Sequence, residues 1–241
     1  MDLPDLAPLR DRLGPTTPVA VLTGAGVSAA SGIPTFRGKQ DGLWSRYRPE
    51  ELATGEAFAR DPELVWRWYD WRRGLIADHE PNAAHRALAA LQERTRLSLV
   101  TQNVDGYHQQ AGSREVIEYH GSIWRLRCSG CGREAEDRRV PLPECPRCEA
   151  CGARLRPAVV WFGEGIPARA HEAATLAAAH CRVMLVIGTA GAVYPAAGLV
   201  DLARSRGAYV AEFNLEPTAL TSRVDLLVPG GAEETVPRLV G

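Results

Sequence analysis

Five short apolar runs set the frame for this chain: 19–22 (VAVL), 97–100 (LSLV), 183–187 (VMLVI), 209–211 (YVA) and 226–228 (LLV). They show little polar alternation, so each reads as a strand covered on both faces. Residues 81–94, 168–179 and 196–206 read as helices lying between them. Strands alternating with helices predict an α/β fold: a parallel sheet with helices on both faces. Ligands of such a sheet bind beyond the carboxyl ends of its strands, and chemistry is therefore sought there.

Two stretches break the rhythm. Residues 39–78 are rich in Trp, Tyr and Arg and become helical from Pro62. Residues 125–155 carry five of the six cysteines and three prolines, with little apolar content. Both read as insertions into the α/β core. Clustered cysteines in a reducing compartment point to a metal rather than to disulfides. Cys128-x2-Cys131 and Cys148-x2-Cys151, 16 residues apart, match the spacing of a closed four-thiolate zinc site. Cys145-x2-Cys148 is a competing pair, but it leaves only 13 residues between pairs. Cys128, Cys131, Cys148 and Cys151 are therefore the expected ligands of one structural Zn2+, with Cys145 outside the set. Cys181 is expected to pack near a strand start.

Directly after the first strand comes Thr23-Gly24-Ala25-Gly26-Val27-Ser28-Ala29-Ala30, a G-x-G-x-x-A turn. Glycines there let a backbone approach a pyrophosphate, although a tight turn alone would also explain them. The acidic residue that ordinarily ends the second strand and holds a ribose is missing. Ser31-Gly32-Ile33-Pro34-Thr35-Phe36-Arg37-Gly38 follows instead. Beyond the second strand lies Thr101-Gln102-Asn103-Val104-Asp105, and later Tyr119-His120-Gly121-Ser122. Amide, carboxylate and imidazole at strand ends would face a ligand in the crevice.

Charge excludes little but favours nothing exotic. The 28 Lys+Arg balance 29 Asp+Glu, so no polyanionic partner is called for. Direct nucleic-acid binding is not expected. The acidic, proline-broken start lacks the features of a secretory signal, and no apolar run could span a bilayer. A cytoplasmic protein without membrane attachment, and a monomer, is the expectation.

GAGVSAASGIPTFRG, TQNVDGYHQQAG, EYHGS, the paired CxxC motifs, LRPAVVWFGE, GTAGAVYPAAGL and FNLEPT occur in this order, and the chain resembles the sirtuins from about Val19 to Pro237. The resemblance implies a Rossmann-type NAD-binding domain (1–38, 79–124 and 156–241), a zinc module (125–155) and a helical insertion forming part of the acyl pocket (39–78). It implies NAD contacts at Gly24, Ala25, Gly26, Ser28, Phe36, Arg37, Gln102, Asn103, Asp105, Gly188, Thr189, Asn214 and Ala232. Asn214 would contact the adenine ribose in place of the missing acid. Ala190 stands where the family's Gly-Thr-Ser element has serine. His120 would be the general base in removing the acyl group of a modified lysine on a protein substrate, giving nicotinamide and O-acyl-ADP-ribose. Val160, Trp161, Phe162 and Gly163 would pair with the substrate backbone.

Tyr69 and Arg72 share a helix face, where a phenol and a guanidinium could bind a carboxylate. Sirtuins that remove succinyl and malonyl groups carry Tyr-x-x-Arg here and an alanine matching Ala53, so acidic acyl groups are expected, without excluding acetyl. An amphipathic helix with solvated arginines is the plainer reading of Arg72-Arg73. Deacetylation alone, ADP-ribosyl transfer, or an NAD- or ADP-ribose-sensing module are the alternatives.

Overall fold

The computed structural model describes residues 4–34, 48–143 and 145–240, with backbone only at 49 and 50. Phe36 and Arg37 lie outside the described residues. In chain order the elements are α1 (Ala7–Arg10), β1 (Pro18–Thr23), α2 (Pro49–Leu52), α3 (Gly55–Arg60), α4 (Pro62–Ala77), α5 (Ala83–Arg94), β2 (Arg96–Thr101) and α6 (Tyr107–Gln110). There follow β3 (Ile117–Glu118), β4 (Gly121–Cys128), β5 (Glu134–Glu136), β6 (Leu155–Val159), α7 (Ala168–His180), β7 (Val183–Ile187), α8 (Ala196–Ser205), β8 (Tyr209–Asn214), β9 (Leu226–Pro229) and α9 (Ala232–Thr235). All five apolar runs are strands. Three-ten turns at Ala25–Ser31 and Val236–Leu239 complete the ends of the sheet that matter here.

Six strands form one sheet in the order β3-β2-β1-β7-β8-β9, and every pairing in it is parallel. Alternate residues of one strand serve opposite cores. Val19, Val21, Leu185 and Phe213 meet Leu88 and Leu91 of α5, and Val236 near the C-terminus. Ala20, Leu22, Val186 and Val210 meet Ala174 and Ala178 of α7 and Leu199 and Val200 of α8. With both faces buried, no position can afford the polar alternation of a half-exposed strand. The chain leaves β1 in one direction for β2 and β3, then returns to the other side for β7 to β9. The order therefore reverses between β1 and β7, where the strand ends open a crevice.

A third apolar cluster sits off the sheet. Helices α2 to α4 supply Leu52, Ala53, Phe58, Trp66, Trp68 and Tyr69, and the antiparallel sheet β5-β4-β6 supplies Ile123, Trp124, Leu126 and Val159. The two insertions thus share one core. Asp61 caps α4, accepting from the Leu64 amide at 2.9 Å, and Pro62 fits its first turn. The seam is polar as well as apolar. Trp66 donates its indole N–H to the Leu155 carbonyl at 2.9 Å, and Asp70 accepts from the Leu142 amide at 2.8 Å.

Arg73 is the strongest tie. It is fully buried and donates to the carbonyls of Ile123 (2.8 Å), Asp137 (2.5 Å) and Arg139 (3.0 Å). Its guanidinium also lies 4.9 Å from the centre of the Trp124 ring. The plainer expectation of two solvated arginines therefore fails at Arg73, because i and i+1 on a helix point to different faces and this one points inward. No helix among the described residues is long and apolar enough to cross a membrane.

Candidate functional site

The crevice at the reversal point is built by three strand ends. Gly24 follows β1, Gln102 follows β2 and Gly188 follows β7. Gly24 donates to the Ile187 carbonyl at 3.0 Å, and Gly26 to the Gly188 carbonyl at 2.8 Å. A Cβ on Gly26 would stand 2.7 Å from the Gly188 Cα, and Gly188 itself has φ +59°. These glycines are required first by the closeness of two backbone loops, and the crevice floor is backbone as a result. Ala25 sits at the surface of that floor at the start of the turn.

A chain of hydrogen bonds fixes the polar side chains above it. The Asn82 amide donates to His85 Nδ1 (3.2 Å), so His85 presents Nε2–H to Ser28 Oγ (3.3 Å). Ser28 donates in turn to Asp105 Oδ2 at 2.7 Å, while Asn103 Nδ2 reaches both Ser28 Oγ (3.2 Å) and the Gly24 carbonyl (3.1 Å). Gln102 Nε2 donates to Thr189 Oγ1 at 3.0 Å, and Asn214 Nδ2 to the Thr189 carbonyl at 2.8 Å. The structure thus brings Gly24, Gly26, Ser28, Gln102, Asn103, Asp105, Gly188, Thr189 and Asn214 together. Ala232, buried, opens α9 just beyond β9.

Burial sets the protonation of this network. It raises the Asp105 carboxyl above its ordinary range, against the opposing pull of the Tyr107 amide, the Ser28 hydroxyl and the Arg72 charge. It lowers His85 to about 4, and His108 well below its ordinary value. His108 Nε2 meets Thr23 Oγ1 at 3.0 Å, and Thr23 donates onward to Thr101 Oγ1 at 2.8 Å. Both histidines are therefore neutral supports beneath the strand ends. Neither stood out in the sequence, since lone histidines in a helical stretch carry no local signal.

His120 is different. Its Nδ1 must donate to the Gln102 carbonyl (3.0 Å), which leaves Nε2 as a bare lone pair. Burial lowers its pKa, and the Gln102 bond works the other way. Gly121, at φ +79°, lets the chain turn here, because a Cβ would run into the Ala158 carbonyl. The His120 carbonyl accepts from the Val160 amide at 2.9 Å, tying the imidazole's backbone to the segment beyond β6.

That segment leads to the helical insertion. Phe162 donates to the Ala53 carbonyl at 2.9 Å and bridges Thr54, so one edge of 160–163 is already paired. Trp161 donates its indole N–H to Tyr69 Oη at 2.9 Å. Arg156, over the Trp161 ring at 3.3 Å, is held by both oxygens of Glu164. Tyr69 is buried and pushed up to about 12, chiefly by desolvation, with Arg72 opposing. Arg72 is half-buried, 5.0 Å over the Trp68 ring, and near enough to Tyr69 and Asp105 to feel both. Ala53, Tyr69 and Trp161 belong to one apolar cluster.

The four cysteines 128, 131, 148 and 151 bring their sulfurs within 4.8 Å of one another. Cys128–Cys151 and Cys131–Cys148 stand at 3.4 and 3.8 Å, beside the roughly 3.8 Å that tetrahedral Zn–S bonds of about 2.3 Å imply. Amides of Gly130 and Cys131 point at Cys128 Sγ, both at 3.4 Å, as they would at a thiolate. The donor set fits a closed structural zinc site. Cys145 lies outside it, packed on the helical insertion. Cys181 is buried just before β7.

Residues 24–195 match the family model described as "Sir2 family". An NAD-dependent protein deacylase of Aquifex aeolicus is 54% identical over 210 residues, covering 86% of this chain and 87% of its own. A solved complex of a Sir2 homologue with NAD superposes with a TM-score of 0.91 at 44% identity, covering 97% of this chain and 91% of the other. A Sir2 variant holding a deacetylated p53 peptide and 3′-O-acetyl ADP ribose superposes with a TM-score of 0.87 at 30% identity, covering 98% and 97%.

Proposed function

The chain belongs to the Sir2 family, and we propose that it removes acidic acyl groups, succinyl and malonyl foremost, from protein lysines. Its activity class is NAD-dependent protein deacylation of the sirtuin type, with NAD and one structural zinc. In this reading 1–38, 79–124 and 156–241 form the NAD-binding domain, 125–155 the zinc module and 39–78 the acyl-pocket insertion.

When bound, NAD supplies the ribose carbon that accepts the acyl oxygen, with nicotinamide leaving. The residues of this chain supply the rest. Asn103 and Asp105, set by Ser28 and His85, hold the nicotinamide end, with Gln102 beside them. Gly24, Ala25, Gly26 and Thr189 line the pyrophosphate side. His120 Nε2, bare because Nδ1 is committed to Gln102, takes a proton from a ribose hydroxyl. A neutral imidazole is needed and burial favours it, so the acid limb of the rate profile falls below pH 6.5. The outward edge of Val160, Trp161, Phe162 and Gly163 pairs with the substrate peptide.

One observation carries the acyl preference: Tyr69 shares an apolar cluster with Ala53 and Trp161, and the Arg72 charge lies close enough to interact with Tyr69 and Asp105. Tyr69 accepts from Trp161, so its own hydroxyl hydrogen can be given to a carboxylate. Ala53, a small side chain in that cluster, is the residue expected to admit a longer acyl chain. Replacing Arg72 with Met is expected to cut kcat/KM for a succinyl-lysine peptide at least tenfold more than for the acetyl peptide. Equal losses for both peptides would remove Arg72 from acyl selection.

A further inference from the structure

The ordinary dinucleotide fingerprint places an acidic residue at the end of the second strand, on the ribose hydroxyls. Here β2 ends in Thr101. A buried carboxylate occurs instead on β8: Glu212 has no exposed surface. Strand periodicity puts Glu212 and Asn214 on the same face of the sheet.

Its two oxygens are taken by two threonines of the loop that follows β8. Thr218 Oγ1 donates to Oε1 at 2.5 Å and Thr221 Oγ1 to Oε2 at 2.6 Å, with Asn214 Nδ2 3.5 Å from Oε1. Each threonine hydroxyl also accepts a backbone amide, from Leu220 and Thr218 respectively, so each has its hydrogen to give. The carboxylate thereby folds the loop back onto the sheet. The end of β8 and this loop then each brace the neighbouring strand end. Asn214 Nδ2 donates to the Thr189 carbonyl at 2.8 Å, and Leu220 packs so closely on Gly191 that a side chain there would overlap it. With its amide nitrogen engaged by Thr189 and near Glu212, Asn214 has its side-chain oxygen left to accept a hydrogen bond. The loop's cation, Arg223, is engaged by Asp201 at 2.7 and 3.0 Å.

We infer that Glu212 is the positioning residue of the adenosine-ribose site, setting Asn214 from behind and making the site select an unphosphorylated ribose. The inference rests on the reading of Asn214 as the adenosine-ribose contact. An acceptor backed by a negative charge suits a hydroxyl and repels a phosphate, a difference on the order of tenfold or more in affinity.

Calorimetric titration of the zinc-loaded full chain with ADP-ribose and with 2′-phospho-ADP-ribose tests this. Wild type is expected to favour ADP-ribose at least tenfold. Glu212→Gln, which keeps the shape and removes the charge, is expected to narrow that ratio at least fivefold, whereas Glu212→Asp holds it within about twofold. Thr221→Ala, milder in the core, is expected to weaken ADP-ribose about fivefold by loosening the loop. An unchanged ratio in folded Glu212→Gln, a ratio in Glu212→Asp narrowed as far as in Gln, or an unchanged ADP-ribose affinity in Thr221→Ala, overturns the inference. Asn214→Ala separates the two levels: full ADP-ribose affinity there overturns the underlying site reading and the inference with it.

Discussion

Replacing Arg73 with Met removes a buried cation from the seam between helix α4 and the zinc-bearing sheet. Three carbonyls, of Ile123, Asp137 and Arg139, lose their donor, at distances of 2.8, 2.5 and 3.0 Å. Hydrogen bonds to a charged group contribute about 1.5–3 kcal/mol each, and buried acceptors left unpaired cost a similar amount. Three effects offset this. Arg73 Nε is already buried without a partner, so part of the guanidinium's desolvation is uncompensated and is relieved on removal. Asp137, 3.5 Å from Arg73, retains its pairing with Arg139. Met also fills most of the vacated volume. The net expectation is a loss of about 3–5 kcal/mol, a large share of a total stability of about 5–15 kcal/mol. Urea denaturation followed by tryptophan fluorescence reads it, since Trp124 lies against the guanidinium. Arg72→Met, half-buried and one residue earlier, serves as the control, with an expected loss of about 1 kcal/mol or less. A loss below about 1 kcal/mol for Arg73→Met would refute the assignment of this side chain as the seam's tie.

Cys148→Ser is expected to abolish zinc retention and unfold the 128–151 module, while Cys145→Ser keeps one zinc per chain, both measured by metal analysis after gel filtration. Zinc loss in both variants to the same degree would bring Cys145 into the ligand set. Stability is expected to fall on acidification, with His85 a main contributor beside His108 and His120, whose pKa values burial also lowers. The folded pKa of His85, about 4, lies below the unfolded value near 6.5, so the unfolded chain binds the extra proton and stability declines as pH drops through that window. The contribution is on the order of 3 kcal/mol, and a His85→Gln variant that keeps folding should show a flatter stability profile between pH 6.5 and 4. A profile as steep as that of wild type would assign the acid sensitivity elsewhere.

The sheet was legible because its strands are buried on both faces, which writes an apolar run at each of the five sites. The cysteine pairs were legible because two knuckles need fixed spacing. Gly24 and Gly26 were found by motif, but the sequence hides the backbone of Gly188 that occupies the space beside them. Tertiary reasons concealed the rest. Arg72 and Arg73 are adjacent, and only the packing of β4 against α4 shows which is buried. Glu212 interrupts an apolar strand and reads as a blemish until Thr218 and Thr221 close on it. His85 and His108 gain their meaning only from Ser28 and Thr23, more than fifty positions away in the chain. Tyr69 and Trp161, 92 residues apart, meet only because the segment beyond β6 packs into the core of the helical insertion.

The most direct test follows nicotinamide release and peptide deacylation together, with NAD and a succinyl-lysine peptide, in wild type and His120→Tyr. The predicted result is one nicotinamide for each lysine freed, O-succinyl-ADP-ribose as the partner product, and loss of both signals in a His120→Tyr variant that remains folded. Nicotinamide released without deacylation, with ADP-ribose appearing on protein, would contradict the account, as would near-normal turnover without His120.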